Sequence, residues 1–359
     1  MRTIPNAFQF AASAWVSALV GKRVLNCLWE LTYRCNAKCC ACNYWRHPSL
    51  PEDELTLADI RHGLDKIYDC GCRVVNFTGG EPTLRSDLED IVEHASHLGM
   101  WTSLVTNGSL LTRERMASLK KAGLDNLFVS LDSTDAEMHD EHRQMKGLYS
   151  RVLDCLHWLS EDFLTGHRTG GVMCVLSSFN THLVDEVVSL ADTLGVYVVF
   201  QPYHQNKTGS GDFLPNIGVD MTEKIVKLKR ERKNILNSEG FIRGFGQQRG
   251  QGVGKACHAG RKYFSIDPYG YLHPCVDLPS AGHLLRDNVE VVRSSQALQD
   301  VNACEGCWYF FRGEADNTLS ILGCLEKFWL GLTVIVRNEH RRLMISRRGD
   351  SKTSAEKQQ

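Results

Sequence analysis

Short apolar runs alternate with amphipathic stretches through more than half of the chain. The apolar runs predict six strands, at 24–31, 73–78, 101–106, 126–131, 171–177 and 196–203. Between them, capping boxes predict helix starts at Thr56 with Asp59 and at Ser86 with Glu89. Strands that alternate with helices pair in parallel through right-handed crossovers. Residues 24–204 are therefore predicted to form an α/β barrel or an open doubly wound sheet.

The alternation stops after the sixth run. Residues 205–256 are interrupted by glycines around a charged helix predicted near 222–237, and we interpret them as a connector. Residues 257–324 are rich in cysteine and aromatic side chains, with a predicted turn, Asp267-Pro-Tyr-Gly270, between two short strands. They are predicted to form a second, small α+β domain.

Both ends of the chain are apolar. Residues 4–20 carry no charge but place polar residues along one face, which predicts an amphipathic helix within residues 1–23. Residues 321–336 are apolar except for Glu326 and Lys327 and run into a basic tail, so 325–359 are predicted as an apolar helix with that tail. Two interpretations stay open: terminal helices docked on the core, or peripheral contact with the anionic inner face of a membrane.

Composition narrows the class of protein. The 359 residues are 43% hydrophobic and 23% charged, which excludes wholesale disorder, coiled coil and collagen. Lysine and arginine number 41 against 42 acidic residues, so no basic excess indicates a nucleic-acid partner. Four of the 14 cysteines fall within residues 35–42, too close for all of them to form disulfides. Such clusters are typical of metal or redox chemistry in the reducing cytoplasm.

Three of these cysteines have a spacing that suits an iron–sulfur cluster. Cys35, Cys39 and Cys42 directly follow the first predicted strand. Three thiolates on one loop can bind three corners of a cubane and leave its fourth iron open, as catalysis requires. The extra thiol, Cys40, is interpreted as incidental.

This C-x3-C-x2-C loop resembles the hallmark of the radical S-adenosylmethionine superfamily. Thr78-Gly79-Gly80-Glu81-Pro82 after the second strand is similar to that family's GGEP element, and Ser130-Leu-Asp132 after the fourth to its Ser-x-Asp element. The resemblance implies a partial (β/α)6 barrel with parallel strands. It also implies a [4Fe-4S] cluster that binds S-adenosylmethionine and cleaves it reductively to a 5′-deoxyadenosyl radical, with a flavodoxin or ferredoxin as electron donor.

The same resemblance implies a set of S-adenosylmethionine contacts at the ends of successive strands. Because such positions share one face of a barrel, we expect these residues to converge: Gly79, Gly80, Glu81, Pro82, Asn107, Ser130, Asp132 and Arg143. Arg143 lies where relatives place an arginine for the ligand carboxylate. The family usually has an aromatic residue before the third cysteine, where this chain has Ala41, so Tyr44 and Trp45 are the candidates for the adenine contact.

The C-terminal cysteines resemble the SPASM/twitch extension of the same superfamily. Their pattern implies one auxiliary [4Fe-4S] cluster, held by Cys257, Cys275, Cys304 and Cys307. The longer seven-cysteine SPASM pattern is absent, and Cys324 is left as a spare ligand. A four-cysteine zinc site is the alternative that spacing alone leaves open.

The leading functional hypothesis is hydrogen abstraction from a substrate that the sequence does not identify: a small molecule, a lipid or a peptide. Peptide maturases of this type often carry an N-terminal peptide-binding domain, and only 23 residues precede the first predicted strand, which weighs against a peptide. No catalytic side chain is assigned, and Tyr203, His204 and Gln205 are candidate substrate contacts. The competing hypothesis is a non-catalytic protein that uses zinc or iron–sulfur sites to sense redox state or dock a partner.

Overall fold

A nine-stranded sheet forms the centre of the molecule, in the order β6-β5-β4-β3-β2-β1-β7-β8-β9. The computed structural model describes residues 26–245, 257–304, 307–310, 314, 326 and 329–342. The strands are β1 (Asn26–Thr32), β2 (Val74–Gly79), β3 (Trp101–Thr106), β4 (Asn126–Ser130), β5 (Thr169–Leu176), β6 (Tyr197–Pro202), β7 (Tyr263–Ile266), β8 (Tyr271–His273) and β9 (Gly282–His283).

Helices connect the first six strands and continue after them. They are α1 (Leu57–Asp69), α2 (Leu88–His97), α3 (Arg113–Ala122), α4 (Ala136–Arg143), α5 (Leu148–Trp158), α6 (Val184–Leu194), α7 (Val219–Arg232), α8 (Glu239–Ile242), α9 (Ser295–Ala303) and α10 (329–342). Single helical turns lie at Tyr44–Arg46, Pro51–Asp53, Pro82–Leu84, Leu159–Phe163, Thr181–Leu183, Gln205–Lys207 and Val289–Arg293.

The six strands β1 to β6 pair in parallel in chain order. Trp29 of β1 stands opposite Phe77 of β2, and both side chains are fully buried. Parallel strands that helices cover are buried on both faces, which explains their nearly continuous apolar sequences. The predicted partial barrel with parallel strands is confirmed.

One of the two predicted capping boxes is present. The Thr56 hydroxyl accepts a hydrogen bond from the Asp59 amide, and the Asp59 carboxylate accepts one in return from the Thr56 amide. The box predicted at Ser86 is wrong, because α2 begins one residue later with Asp87 as its N-cap. The Asp87 carboxylate binds the Arg85 guanidinium at 2.8 and 2.9 Å, and this ion pair fixes the turn in place of a capping hydroxyl.

The cysteine-rich segment extends the barrel sheet. Strand β7 pairs in parallel with β1, with Trp29 opposite Ile266, and β8 then returns antiparallel to β7. The turn predicted from Asp267 to Gly270 is present, and the Asp267 carboxylate accepts hydrogen bonds from the amides of Tyr269 and Tyr271. The sheet therefore continues across the predicted boundary between barrel and small domain.

The described part of the predicted connector is packed against the barrel. Ile235 forms a parallel bridge with Val198 of β6, and Phe241 and Phe245 are fully buried. The helix predicted near 222–237 is α7, which begins and ends several residues earlier. Residues 205–245 thus cover the β6 edge of the sheet rather than spacing two domains.

The C-terminal helix docks on the barrel. Asn338 is fully buried and donates from its amide nitrogen to the carbonyls of Gly166 and Arg168 at 3.0 and 2.8 Å. Arg337 binds Asp192 at 2.8 Å. These contacts favour the docked interpretation for 329–342, whereas the predicted helix within 1–23 lies outside the described residues. In the part of the chain that the structure describes, no helix combines the length and hydropathy needed to cross a bilayer.

Candidate active site

The cysteine loop leaves β1 at the carboxyl edge of the sheet and is fastened to the end of α4. The Cys40 amide donates to the His142 carbonyl at 3.0 Å, and the Trp45 indole donates to the Cys39 carbonyl at 3.3 Å. Cys35, Cys39 and Cys42 are all partly exposed, whereas the Cys40 side chain is exposed. The loop is therefore held by backbone contacts that leave its three motif thiols accessible from the site.

The glycines of the GGEP element bring two backbones together. The Gly80 amide donates to the Thr32 carbonyl at 2.7 Å, and the Glu81 amide to the Arg34 carbonyl at 2.8 Å. A Cβ on Gly79 would lie 2.2 Å from the Thr32 oxygen, and one on Gly80 2.3 Å from the Arg34 oxygen. The glycines are thus required for contact with the segment that leads into the cysteine loop.

Glu81 organises the strand ends from inside the protein. Its carboxylate is fully buried and accepts hydrogen bonds from the amide and hydroxyl of Thr83, the hydroxyl of Thr106 and the amide of Asn107. Four donors occupy the acceptor positions of a carboxylate. With these four donors in place, the carboxylate has no free acceptor position for a ligand. Its observed role is to position the loops that follow β2 and β3.

Asn107 links the third strand to the cysteine loop. Its side-chain amide donates to the Asn36 side chain at 2.9 Å and accepts from the Ser109 amide at 2.8 Å. Gly79–Pro82 and Asn107 are not among the described residues that line the cavity beside the cysteine loop. Their contact with S-adenosylmethionine stays a prediction.

Asp132 and Arg143 form a buried ion pair beside the cysteine loop. The two side chains are 2.6 Å apart, and the Arg143 guanidinium also lies 3.9 Å from the Cys39 sulfur. Burial opposes ionisation of Asp132, but the Arg143 charge outweighs it and holds the pKa of this carboxyl below its usual value. The Arg143 Nε is buried with no hydrogen-bond partner among the described residues. An unpaired buried donor of this kind favours an anionic ligand.

Two histidines on α4 border this ion pair as neutral groups. Burial, aided by the Arg143 charge, lowers the pKa of His139 to about 4. Burial also lowers the pKa of His142, whose ring stacks on Phe179 with centroids 4.3 Å apart. Among His139, His142 and Arg143, the positive charge therefore resides on Arg143.

A cavity of ≈ 270 Å³ joins the barrel to the C-terminal segment. Its wall includes barrel residues of the predicted site and residues of the cysteine-rich segment: Cys39, Cys42, Ser130, Asp132, Arg143, Cys275, Tyr309 and Phe310. Of the candidate substrate contacts after β6, Tyr203 and His204 line it. Both predicted metal sites thus contribute thiols to the wall of one cavity: Cys39 and Cys42 from the first, and Cys275 from the second.

The two candidates for the adenine contact have different surroundings. Tyr44 lines the cavity, and its hydroxyl is bound to Glu30 and Lys207. Trp45 carries the Arg46 guanidinium 4.8 Å from its ring centroid and binds the loop backbone. Tyr44 is the one placed to meet a ligand.

Three of the predicted auxiliary ligands surround Tyr263. The Cys257 sulfur is 3.1 Å from the Tyr263 hydroxyl. Burial and the nearby thiols Cys275, Cys257 and Cys307 raise the pKa of this tyrosine. Cys304 follows α9 as its C-cap and is exposed, and Cys324 lies outside the described residues. The geometry therefore groups Cys257, Cys275 and Cys307, and separates Cys304 from them by its exposure.

The donor sets fit iron–sulfur clusters. Burial raises the pKa of Cys35 to about 12 and also raises that of Cys39 and Cys275. Buried thiols ionise when a metal centre supplies positive charge, and thiolate is the ligand that these clusters prefer. Among the described residues, no three cysteine, histidine or acidic side chains are close enough to hold a single metal ion. The fit thus rests on donor chemistry, burial and the unpaired Arg143 donor.

Sequence reasoning missed two residues at or behind the cavity wall. Glu30 is a buried carboxyl within the apolar strand β1 and binds the cavity-lining Tyr44, and Lys207 follows β6 and lines the cavity. An acid inside an otherwise apolar strand was a usable signal for Glu30. Lys207 had none, because a lysine in a polar loop is ordinary.

Comparison with known proteins identifies relatives of this chain and a family model that matches its barrel. Residues 29–191 match the Radical SAM superfamily. The chain is 28% identical over 311 residues to the AdoMet-dependent heme synthase of Methanosarcina barkeri, covering 78% of this chain and 87% of the relative. It is 32% identical over 257 residues to the PqqA peptide cyclase of Rhodopseudomonas palustris, covering 69% and 66%.

The fold is shared with a solved structure. The crystal structure of Streptococcus suis SuiB bound to S-adenosylmethionine superposes with a TM-score of 0.65 at 16% identity, covering 79% of this chain and 68% of that one. At this identity the likeness concerns the fold alone.

Proposed function

The chain belongs to the radical S-adenosylmethionine superfamily, with a SPASM/twitch extension, and from this premise we propose that it modifies a peptide by radical chemistry. As a member it binds a [4Fe-4S] cluster with S-adenosylmethionine and carries an auxiliary cluster. When bound, the first cluster supplies the electron that cleaves S-adenosylmethionine to a 5′-deoxyadenosyl radical. Membership favours this enzyme over the non-catalytic alternative.

One observation carries the proposal: a single cavity is lined by the cysteine loop, by the Asp132–Arg143 pair and by Cys275 of the C-terminal segment. In our assignment Cys35, Cys39 and Cys42 hold the cluster that binds S-adenosylmethionine. Arg143 releases Asp132 in part to bind the ligand carboxylate, using its unpaired Nε.

The C-terminal thiols are assigned to the auxiliary cluster. Cys257, Cys275 and Cys307 are proposed ligands by their grouping around Tyr263, and Cys304 by its spacing from Cys307. We retain 24–204 as the barrel and 257–324 as the extension, with a flavodoxin or ferredoxin as the electron donor. Apolar side chains around the cavity exclude water and stray hydrogen donors from the site.

The size of the cavity supports a peptide over a tetrapyrrole. At ≈ 270 Å³ it lies near the low end of ligand pockets, and S-adenosylmethionine shares it. One side chain of a longer substrate can enter such a space while the rest of the substrate stays outside. A peptide cyclase among the relatives acts on such a substrate by its name. The tetrapyrrole alternative comes from the names of two Methanosarcina barkeri relatives, the heme synthase and an Fe-coproporphyrin III synthase, and Fe-coproporphyrin III serves as its probe.

The experiment follows hydrogen from substrate to cofactor. Anaerobically reconstituted protein is given S-adenosylmethionine, dithionite and a pool of synthetic peptides with perdeuterated side chains. We expect mass spectrometry to find deuterium in 5′-deoxyadenosine, and the Cys35→Ala, Cys39→Ala, Cys42→Ala protein to form none. No deuterium transfer from any peptide, with 5′-deoxyadenosine stimulated instead by Fe-coproporphyrin III, would contradict the peptide proposal.

A further inference from the structure

Lys207 places an ammonium group in the wall of the cavity. It ends the helical turn Gln205–Lys207, which directly follows β6, and is half-buried. The same cavity is lined by Cys42 of the barrel loop and Cys275 of the C-terminal segment. A cation at this position faces the space between the two proposed clusters.

Among the described residues, Lys207 donates a single hydrogen bond. Its Nζ donates to the Tyr44 hydroxyl at 2.9 Å and lies 4.5 and 5.7 Å from the ring centroids of Tyr44 and Tyr309. Within the described ranges, no carboxylate oxygen comes within 4 Å of it to form an ion pair. An ammonium carries three donors, so two remain for a ligand.

The neighbouring groups fix the direction of the one bond that Lys207 makes. Tyr44 donates its hydroxyl proton to Glu30, and Tyr33 donates to the same carboxyl at 3.1 Å. The Tyr44 oxygen therefore presents its lone pairs to Lys207. This chain of hydrogen bonds, together with the two aromatic faces, anchors the ammonium at the cavity wall.

Two neighbouring basic groups of the described wall have other partners or are neutral. Arg143 is paired with Asp132 at 2.6 Å, and burial lowers the pKa of His142. Lys207 makes no direct ion pair within the described residues, although its charge also acts on the Glu30 carboxyl across Tyr44. A single ammonium matches a single carboxylate, whereas a phosphate dianion is better served by several cations or a bidentate arginine.

We propose that Lys207 binds a carboxylate of the substrate and so selects acidic peptides. This inference rests on the peptide proposal above and narrows it. The carboxylate can come from a glutamate or aspartate side chain or from a free C-terminus, because both present the same group. Bound there, it directs the neighbouring atoms of the substrate towards the space beside Cys42.

The test uses three matched probes on the reconstituted holoprotein with S-adenosylmethionine. They are the acetylated pentapeptide Ala-Tyr-Ala-Glu-Ala with an amidated C-terminus, its glutamine counterpart, and that counterpart with a free C-terminus. Calorimetry on the wild type should give a Kd about tenfold lower for a carboxylate-bearing probe than for the all-amide probe. Tighter binding of the glutamate probe would identify a side-chain carboxylate, and tighter binding of the probe with the free C-terminus would identify the chain end.

Substitutions then assign the preference to Lys207. Lys207→Met should abolish it and Lys207→Arg should retain part of it, with Lys207→Gln as a second neutral variant should Met prevent folding. Lys227→Met is the control, since Lys227 on α7 is 76% exposed. Iron content should not change in any of these proteins, and S-adenosylmethionine affinity should not change in Lys227→Met.

A parallel pair, Fe-coproporphyrin III and its tetramethyl ester, separates the two proposals. If no peptide binds but the free propionates are preferred in a Lys207-dependent manner, the carboxylate site stands and the peptide proposal fails. A preference that survives in both Lys207→Met and Lys207→Gln, or the absence of any preference in the wild type with both probe sets, overturns the assignment of Lys207.

Discussion

The cysteine loop of the barrel and the thiols of the C-terminal segment each contribute to the wall of one cavity but are built differently. The loop takes its three thiols from eight consecutive residues, 35–42, and binds the end of α4 through backbone contacts. The C-terminal thiols come from three separate segments and meet around the buried Tyr263. A local loop can leave one coordination position open, whereas ligands drawn from several segments can enclose a cluster.

This difference predicts a division of work. The barrel loop lies beside Arg143, whose unpaired Nε can take an anionic ligand, so it is suited to bind S-adenosylmethionine. The C-terminal thiols lie among buried aromatic groups and are suited to hold a cluster that passes electrons.

The largest effect is expected from the barrel thiols. Replacing Cys35, Cys39 and Cys42 with alanine should abolish 5′-deoxyadenosine formation under dithionite, because no cluster remains to deliver the electron. Chromatographic assay of anaerobic reactions measures this. Cys40→Ala is the matched control, since its exposed side chain should be dispensable. Undiminished cleavage in the triple variant would refute the assignment.

Loss of the C-terminal thiols should separate the two activities. Cys304→Ala with Cys307→Ala should lower iron by about four per chain and stop product formation, while 5′-deoxyadenosine still forms. Product and 5′-deoxyadenosine are counted in the same reaction, and circular dichroism checks folding. A folded variant that lacks this iron yet makes product in normal proportion would show that the second cluster is structural.

The single substitutions sharpen this test. Cys307 is buried with the other thiols and Cys304 is exposed, so Cys307→Ala should lose more iron than Cys304→Ala. Equal losses would mean that Cys304 is as much a ligand as Cys307.

A smaller effect is expected at the ion pair. Arg143→Ala should weaken S-adenosylmethionine binding by about 2 kcal/mol, because a desolvated carboxylate loses its charge-assisted partner. Calorimetry on reconstituted protein measures the affinity. Arg113→Ala is a suitable control, as that arginine is half exposed on α3. An unchanged affinity for Arg143→Ala would assign the ligand carboxylate elsewhere.

The smallest expected effect is a loss of folding stability at low pH, which His139 in the barrel site should cause. The pKa of His139 is about 4 in the folded protein against 6.5 for an ordinary histidine. The unfolded chain therefore binds more protons between these values, and stability is lost as pH falls through this window. From pH 7.5 to 5.5 this one group should reduce the free energy of unfolding by about 1 kcal/mol.

Urea unfolding of the wild type and of His139→Asn at the two pH values measures the contribution. Asparagine can keep the contact with the Asp132 amide, which His139 Nδ1 makes at 3.4 Å, but it does not titrate. The variant should lose less stability on acidification. The same loss in both proteins would assign the sensitivity to other groups.

Sequence reasoning was most accurate where chemistry is local. Apolar runs located all six barrel strands, because parallel strands covered by helices must be apolar on both faces. The cysteine loop and the Asp267 turn could be read in the same way, since each is a short segment with its own residue signature.

Its limits concern which of several available partners a side chain takes. The Ser86 capping box gave way to an ion pair between Arg85 and Asp87, two residues apart in the chain. The Glu81 carboxylate accepts hydrogen bonds from Thr106 and Asn107 at the end of β3, and the motif itself does not specify these long-range partners. Lys207 illustrates the same limit: only the fold brings it beside Tyr44 and into the cavity.

The most direct test of the contrast between the two regions is electron–nuclear double resonance with S-adenosylmethionine labelled with ¹⁵N in its amino group and ¹⁷O in its carboxylate. We expect couplings from both labels in reduced protein that lacks Cys304 and Cys307, and none in protein that lacks Cys35, Cys39 and Cys42. Couplings that persist without the barrel thiols, or that vanish with the C-terminal ones in a folded protein, would contradict the account.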